Sequence, residues 1–316
     1  MNNKLNNLLL ITFTFLFLNL NFLSGCQDQE LYRDRRVLMG TFVDVISPDK
    51  RAPALAFEAI RKIEDLLSKY KKGSDISELN ERGEWRVDPQ TMYVLQKAHF
   101  FWEKSVGAFD ITVGPLMDVW GFTDKKYRLP AKEEIEKALG FIGAEKIIFN
   151  LDDNVVKFKL SGMKIDVGAI AKGYAVDRAV QALKEAGIKS CLINAGGQIY
   201  CLGDKSGEPW RIAVRDPRQE SFIAEFTLKN KAVSTSGDYE QYFIQDNLRY
   251  AHIMDPRTGY PSDSRVVSVT VIADDGLTAD ALSTAIFVLG KQKGEALVSE
   301  FPGVKIKVIE AREGLR

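Results

Sequence analysis

Residues 164–177 read Lys-Ile-Asp-Val-Gly-Ala-Ile-Ala-Lys-Gly-Tyr-Ala-Val-Asp, and this stretch says more about the fold and function than any other part of the chain. Its pattern predicts a short strand, a glycine-containing turn and then a helix. Asp166 lies at the turn, Gly168 permits a close backbone approach, and Lys172 follows in the helix. These groups suit a ligand that is polar at one end and phosphorylated at the other. Taken alone, the stretch also fits, and slightly favours, an ordinary helix start with a capping aspartate and a solvated lysine.

The bulk composition excludes several classes of protein. The chain has 316 residues with 43 basic and 43 acidic side chains, so its formal net charge is zero. A neutral chain has no overall attraction for nucleic acid, and we expect no nucleic-acid partner. A hydrophobic content of 45% excludes wholesale disorder. With no visible linker or repeat, the sequence predicts one large domain.

The N-terminus carries the pattern of an export signal. Lys4 precedes the apolar residues 8–23, which are too few for a membrane span, and Leu23-Ser24-Gly25-Cys26 follows. This ending resembles a bacterial lipoprotein signal, in which the cysteine is acylated; an ordinary secretory signal is the alternative. We therefore expect a signal peptide over 1–25, lipidated Cys26 with a polar tether over 26–36, and a domain over 37–316. The protein would be lipid-anchored on the extracytoplasmic, or periplasmic, side of a bacterial membrane.

Two further cysteines, Cys191 and Cys201, lie at equal distances from Gly196. If residues 190–202 form a hairpin, the two thiols face each other across it. They would then be either a disulfide or two buried thiols, and the sequence leaves this open.

The order of predicted elements favours the α+β class, because strands are grouped and do not alternate strictly with helices. We expect one domain with mixed or antiparallel sheets and packed helices. Predicted helices cover 52–72, 89–105, 132–139, 170–186, 278–289 and 292–301, and predicted strands cover 37–47, 147–160, 164–167, 190–202, 210–215, 222–228, 232–234, 241–244, 251–253, 265–272 and 304–310.

Asp280 and Thr284 are four residues apart in a predicted helix, so their side chains share one face. A carboxylate and a hydroxyl are hard oxygen ligands that suit Mg²⁺. The alternative is an ordinary helix start, with Thr278 as the N-cap and Asp280 complementing the helix dipole.

One of the two histidines in the chain is placed where catalytic groups are common. His252 precedes the turn sequence Asp255-Pro256-Arg257-Thr258-Gly259 and so lies at a strand end beside a tight loop. A structural histidine fits the same position.

Two glycine turns and two aromatic boundaries complete the pattern. The turns at 194–197 and 234–239 could offer backbone N–H groups or hydroxyls to a ligand, or could be simple β-turns. Tyr70 ends the first predicted helix, and Phe109 lies in the ordered loop predicted over 107–122. Each could stack on a flat ring or belong to the helix face and core.

Taken in order, eight blocks of the chain resemble the ApbE family, the FAD:protein FMN transferases. They span nearly all of the predicted domain and follow a lipoprotein-like signal. The blocks are residues 39–41, 68–80, 107–116, 165–177, 194–197, 234–239, 252–259 and 278–290.

The resemblance implies a T-fold-like α+β domain that binds FAD in a cleft and uses Mg²⁺ to split the FAD pyrophosphate. It implies transfer of FMN to a threonine hydroxyl of an exported or membrane redox protein, with release of AMP. By motif, Asp280 and Thr284 bind the metal through side chains and Ala169 through its carbonyl, and His252 activates the acceptor. Lys172 is implied to neutralise charge on the pyrophosphate. The residues implied to line the FAD site are Met39, Tyr70, Ala108, Phe109, Asp110, Asp166, Lys172 and Met254.

The implied partners are FAD and a threonine-bearing flavoprotein subunit of a redox pump or reductase. A Mg²⁺-dependent FAD pyrophosphatase that makes FMN and AMP is the enzymatic alternative, and Tyr70 at the flavin-stacking position favours the transferase. A lipid-anchored flavin-binding protein without turnover is a further alternative.

Overall fold

Residues 30–311 of a computed structural model are described, and they contain eight α-helices and sixteen β-strands. The helices are α1 Ala52–Leu67, α2 Asp75–Arg82, α3 Pro89–Lys104, α4 Gly114–Val119, α5 Lys132–Leu139, α6 Gly168–Glu185, α7 Gly276–Leu289 and α8 Lys291–Val298. The strands are β1 Tyr32–Leu38, β2 Thr41–Ser47, β3 Glu84–Arg86, β4 Ile147–Asn150, β5 Val155–Phe158, β6 Cys191–Ala195, β7 Gln198–Leu202, β8 Trp210–Arg215, β9 Phe222–Leu228, β10 Lys231–Gly237, β11 Tyr242–Gln245, β12 Leu248–Ala251, β13 Met254–Asp255, β14 Tyr260–Pro261, β15 Val266–Ala273 and β16 Lys305–Glu310.

The main sheet has seven strands in the order β1-β2-β6-β7-β10-β15-β16, and every neighbouring pair is antiparallel. Smaller sheets are formed by β3-β5-β4 and by the pairs β8-β9, β11-β12 and β13-β14. Helices and antiparallel sheets are segregated in this way in α+β proteins, so the predicted fold class is confirmed.

One face of the main sheet carries the principal hydrophobic core. Val43 and Val45 of β2 and Val269 and Val271 of β15 alternate with residues on the other face and are fully buried. Helices α1, α6 and α7 pack together with this face, and their apolar residues complete the same core.

Helices α6 and α7 approach each other at a pair of glycines, Gly173 and Gly276. A Cβ on Gly173 would lie 2.2 Å from the Gly276 carbonyl oxygen, so this backbone contact has no room for a side chain. Asp177, one turn further along α6, accepts hydrogen bonds from the N–H groups of Gly276 (2.6 Å) and Leu277 (2.8 Å). Two unpaired donors at the start of α7 are thereby satisfied, and the register of the two helices is fixed.

The opposite face of the sheet is partly covered by the hairpin β8-β9, whose Trp210 and Ile212 form a second small core. Cys201 points into this small core, whereas Cys191 points into the principal core. The hairpin register pairs Cys191 with Leu202, so the predicted direct opposition of the two cysteines is wrong by one residue. The thiols lie on opposite faces of the sheet and are free, which excludes a disulfide between them.

A third hydrophobic cluster lies beneath helices α4 and α5. Trp120, fully buried, donates its indole N–H to the Gly259 carbonyl at 2.9 Å and packs beside Phe243 and Tyr250 of the hairpin β11-β12. This cluster ties the loop after His252 to the α4–α5 region.

The first strand differs from its prediction over 37–47, because the chain turns at Met39 and Gly40 and forms the hairpin β1-β2. Both residues have positive φ angles, 52° and 71°, as a two-residue hairpin turn requires. The alternating pattern continues across this turn and lacks an Asn-Gly or Asp-Gly signal. Residues 32–36, assigned by sequence to a tether, are therefore part of strand β1.

Four further local assignments differ from the sequence prediction. Helix α1 ends at Leu67, so Tyr70 lies in the loop that follows and not in the helix. Residues 75–82, where the sequence predicts neither a helix nor a strand, form α2, with the Ser74 hydroxyl accepting from Ser77 N–H as the N-cap. Residues 107–122 include α4, which begins at Gly114 and has Pro115 in its first turn. The N-cap of α7 is Asp275 and not Thr278.

Residues 164–167 are not a strand. The Asn80 side chain bonds both to Ile165 N–H (2.7 Å) and to the Ile165 carbonyl (2.9 Å), and Asp166 N–H donates to the Ile111 carbonyl at 2.7 Å. These contacts satisfy the backbone groups that a strand partner would otherwise bond.

Among the described residues, none of the helices has the length and apolar character that a bilayer crossing requires. The predicted signal peptide and Cys26 lie outside the described residues.

The glycine contact between α6 and α7 generates a stability prediction. We expect Gly173→Ala to lower the free energy of unfolding by about 1–3 kcal/mol, because the added methyl overlaps the Gly276 carbonyl. Chemical denaturation with circular dichroism would measure it. Gly140→Ala is the control, since Gly140 has a helical φ of −58° and its nearest neighbour to a new Cβ is 3.3 Å away. Equal stability of the two variants would contradict the argument.

Candidate functional site

A cleft of about 890 Å³ opens where several loops and strand ends meet beside α6 and α7. The β1-β2 turn, the loop after α1, the start of α6, the β6-β7 turn, β10 and the front of α7 all contribute to its wall. All twelve site residues predicted within the described chain line this cleft: Met39, Tyr70, Ala108, Phe109, Asp110, Asp166, Ala169, Lys172, His252, Met254, Asp280 and Thr284.

The Asp280 and Thr284 side chains project from one face of α7 into the cleft, as the four-residue spacing predicts. Strand β10 lies against the same face. The Ser234 hydroxyl lies 3.4 Å from Asp280 Oδ1, and the Ser236 hydroxyl lies 3.4 Å from Thr284 Oγ1. A carboxylate and three hydroxyls thus meet on one wall, and all are oxygen donors of the kind that hard cations prefer.

The electrostatics of Asp280 fit a bound cation. The residue is 4% exposed, and its carboxylate forms no ion pair among the described residues. Burial raises the pKa of Asp280 above its usual value, against the opposing influence of the nearby Lys172 charge. No group of three or more His, Cys, Asp or Glu side chains in residues 30–311 could hold a metal ion, so hydroxyl and carbonyl oxygens would have to complete the donor set beside the Asp280 carboxylate.

The start of α6 faces this wall. Gly173 N–H donates to Asp280 Oδ2 at 2.9 Å, although its regular helical acceptor is the Ala169 carbonyl. Ala169, four residues before Gly173, lines the cleft at the start of α6. Lys172 bonds through Nζ to the Gly168 carbonyl at 3.0 Å, which holds its ammonium group at the helix N-terminus.

Asp166 is held by Lys69, which the sequence analysis does not predict as a site residue. Lys69 Nζ lies 2.8 Å from Asp166 Oδ2 and 3.3 Å from the Thr123 hydroxyl. Burial tends to raise the pKa of Asp166, but the Lys69 charge and hydrogen bond outweigh it, and the pKa is lowered. Asp166 also accepts from Gly168 N–H at 2.9 Å and therefore fixes the turn into α6. Lys69 and Asp166 are 97 residues apart in sequence, so no local sequence pattern predicts their contact.

His252 lies between β12 and β13, at the strand end where the sequence places it. Its Nδ1 is 3.1 Å from the Gln241 carbonyl, which favours the tautomer with the proton on Nδ1 and leaves Nε2 as the basic nitrogen. Burial lowers the pKa of His252, with the Gln241 carbonyl opposing this effect. The imidazole is therefore neutral at pH 7 and able to accept a proton.

Tyr70 and Phe109 have different environments in the cleft. Tyr70 is 69% exposed and free to stack on a flat ring, whereas Phe109 is 1% exposed and packs edge-on against Phe101 in the core. Asp110 is also buried, and its Oδ1 accepts from Thr112 N–H (2.7 Å) and Thr112 Oγ1 (2.6 Å). Residues 108–110 are therefore held by the core and form the base of the cleft.

Several cleft residues are absent from the residues proposed by sequence. Ser234 and Ser236 lie in strand β10, although the sequence predicts a turn with hydroxyl donors over 234–239, and Gly196 lies in the other predicted turn. Gln198 and Lys69 had no signal of their own. The additional lining residues include Lys69, Thr123, Lys125, Gly196, Gln198, Ser234, Thr235, Ser236, Glu240 and Gln241.

Fold and site together define an α+β protein with a cleft for a polar, partly aromatic ligand and a wall suited to a hard cation. A family model described as the ApbE family matches residues 39–308. The chain belongs to the ApbE family, and the family resemblance noted in the sequence is confirmed.

Proteins named FAD:protein FMN transferase are among its curated relatives. The one from Vibrio cholerae is 32% identical over 265 residues, covering 81% of this chain and 79% of the relative. The one from Haemophilus influenzae is 35% identical over 251 residues, covering 75% and 72%.

Solved structures give the same result for the fold. The ApbE protein of Thermotoga maritima superposes with a TM-score of 0.83 at 38% identity, covering 89% of this chain and 94% of that chain. The flavin transferase ApbE of Vibrio cholerae has a TM-score of 0.81 at 30% identity, covering 90% and 94%. The ApbE architecture expected for the domain is confirmed.

The environment of His252 generates a titration prediction. We expect its imidazole to titrate below pH 6.5, because burial disfavours the charged form. Nuclear magnetic resonance of the histidine ring protons across pH 5–8 would measure this, with His252→Gln assigning the signal against that of His99. A midpoint at or above 6.5 would contradict the burial argument.

Proposed function

We propose that this protein transfers FMN from FAD to a threonine hydroxyl of an acceptor protein, with release of AMP. The observation that carries the proposal is the placement of Asp280 and Thr284 in the same cleft as Lys172 and His252. That cleft combines oxygen donors suited to a cation, a lysine at a helix N-terminus, and a neutral imidazole. The transferase names of the relatives support the same reaction.

The proposed metal is Mg²⁺, held by the Asp280 carboxylate, the Thr284 hydroxyl and the Ala169 carbonyl. The oxygen-only donor set fits this ion, as does the buried Asp280 carboxylate, which has no ion-pair partner in residues 30–311. When bound, Mg²⁺ would supply positive charge next to the pyrophosphate. The exposed ring of Tyr70 is placed to stack on the flavin, and Met39, Asp166 and Met254 lie around the same cleft.

In the proposed reaction, His252 accepts a proton and Lys172 neutralises charge. His252, neutral and oriented by the Gln241 carbonyl, takes the proton of the threonine hydroxyl as its oxygen attacks the phosphorus of the FMN half. The bond from that phosphorus to the AMP oxygen breaks, and AMP leaves with the bonding electrons. Lys172, fixed at the N-terminus of α6, neutralises the charge that grows on the leaving phosphate.

The transfer assay separates this proposal from its alternatives. The protein would be incubated with FAD, Mg²⁺ and a threonine-bearing acceptor, with the acceptor followed by intact mass and AMP by chromatography. We expect the acceptor to gain the mass of one FMN, and Asp280→Ala to reduce the rate at least about 100-fold. Asp274→Ala is the control, because this carboxylate is exposed and outside the cleft.

The other outcomes assign different functions. AMP and free FMN without modification of the acceptor would indicate an FAD pyrophosphatase. Bound FAD without either product would indicate a flavin-binding protein. Undiminished transfer by Asp280→Ala would remove Asp280 from the metal site.

We also propose that the protein is a lipoprotein anchored through Cys26 on the extracytoplasmic face of a bacterial membrane, where it meets exported redox subunits. The supporting observation is the sequence Leu23-Ser24-Gly25-Cys26 after an apolar segment.

In cells fed radiolabelled palmitate, we expect label on the parent and none on Cys26→Ser, which would also leave the membrane fraction. Cys191→Ala, a change at a buried sheet cysteine, should keep the label. Label that persists in Cys26→Ser would refute the anchor.

A further inference from the structure

Gln198 lines the cleft, and its buried amide oxygen has no hydrogen-bond partner among the described residues. The residue is 1% exposed, and its Nε2 donates to the Gly276 carbonyl at 2.9 Å. Because a carbonyl can only accept, this bond fixes which end of the amide is NH₂. Oε1 therefore faces away from Gly276, and it is one of three buried side-chain atoms without a hydrogen-bond partner in residues 30–311.

The chemistry of Oε1 restricts what can satisfy it. A buried acceptor that stays unpaired is costly, so a group is expected to pair with it when the cleft is filled. An amide oxygen cannot bond to phosphate oxygens, which are acceptors as well. Its partner has to be a donor, such as a hydroxyl or a water molecule.

The position of the amide selects among these donors. A Cβ built on Gly173 would lie 2.2 Å from the Gly276 carbonyl oxygen and 2.8 Å from Asp280 Cβ. The Gly276 carbonyl and Asp280 Cβ are therefore close to each other where α6 contacts α7. Gly276 and Asp280 are also one turn apart on α7, on the same face. Gln198 is thus anchored to Gly276, one helical turn before Asp280, whose carboxylate is proposed to hold the cation.

We propose that Gln198 is a positioning residue whose Oε1 accepts a hydrogen bond from a water molecule coordinated to the cation at Asp280. This inference rests on the cation site of the proposed function and adds a residue of the outer coordination shell to it. Small divalent cations keep several of their waters in proteins, and outer-shell partners orient those waters and increase affinity. The same amide, through its NH₂, holds the first turn of α7 in place.

Binding of Mn²⁺ alone provides a test that does not depend on turnover. Free Mn²⁺ would be counted by electron paramagnetic resonance during titration of the purified protein and its variants. We expect Gln198→Met, of similar shape without a polar end, to raise the Kd at least about tenfold. Gln198→Glu should lower the Kd below that of the parent, because a carboxylate accepts the same bond more strongly and adds negative charge. Gln181→Met, on the exposed side of α6, should bind like the parent.

The opposite signs distinguish positioning of water from a structural role. Both Gln198 variants lose or weaken the bond to Gly276, so a purely structural residue would weaken Mn²⁺ binding in both and lower the Tm in both. Equal weakening, or a Kd within about twofold of the parent in both variants, would overturn the inference. If the parent itself binds no Mn²⁺, the cation site of the proposed function is wrong and the inference falls with it.

Discussion

The backbone contact between Gly173 and Gly276 is the constraint on which the rest of the site depends. It brings α6 and α7 close enough for Gly173 N–H to reach the Asp280 carboxylate and for Asp177 to cap the start of α7. A side chain at either glycine would separate the helices and remove both hydrogen bonds. The lysine of α6 and the carboxylate of α7 therefore face one cleft because two residues have no side chain.

This packing concentrates acidic groups near the start of α7. Burial raises the pKa of Asp177 to about 7, against two backbone N–H donors that lower it, and Asp275 and Asp280 raise it further. Asp275 is the N-cap, accepting from Thr278 N–H at 2.7 Å. The positive end of the helix dipole offsets part of this negative charge, and a cation at Asp280 would offset more. The fold thus concentrates negative charge that the proposed divalent ion would offset.

The sequence predicted what depends on local pattern. The strands around Trp210 and Phe222, the helix from Lys132 and the four-residue spacing of Asp280 and Thr284 all rest on periodicity within one element. The β1-β2 turn was missed because Met39 adopts a positive φ that only its context makes acceptable, including a 2.8 Å bond from its N–H to Glu64.

Contacts between distant parts of the chain set the limit of such prediction. Lys69 pairs with Asp166 across 97 residues, and Gln198 reaches Gly276 across 78, so neither partner leaves a signature near the other. The family resemblance could identify Asp166 and Asp280 because they lie within its motifs, but not the side chains that hold them. The site residues identified by the resemblance line this cleft, while Lys69 holds Asp166, Asp177 holds the start of α7, and Gln198 bonds to the Gly276 carbonyl. The geometry around Asp280 and Thr284 therefore depends on contacts between distant residues that only the folded structure shows.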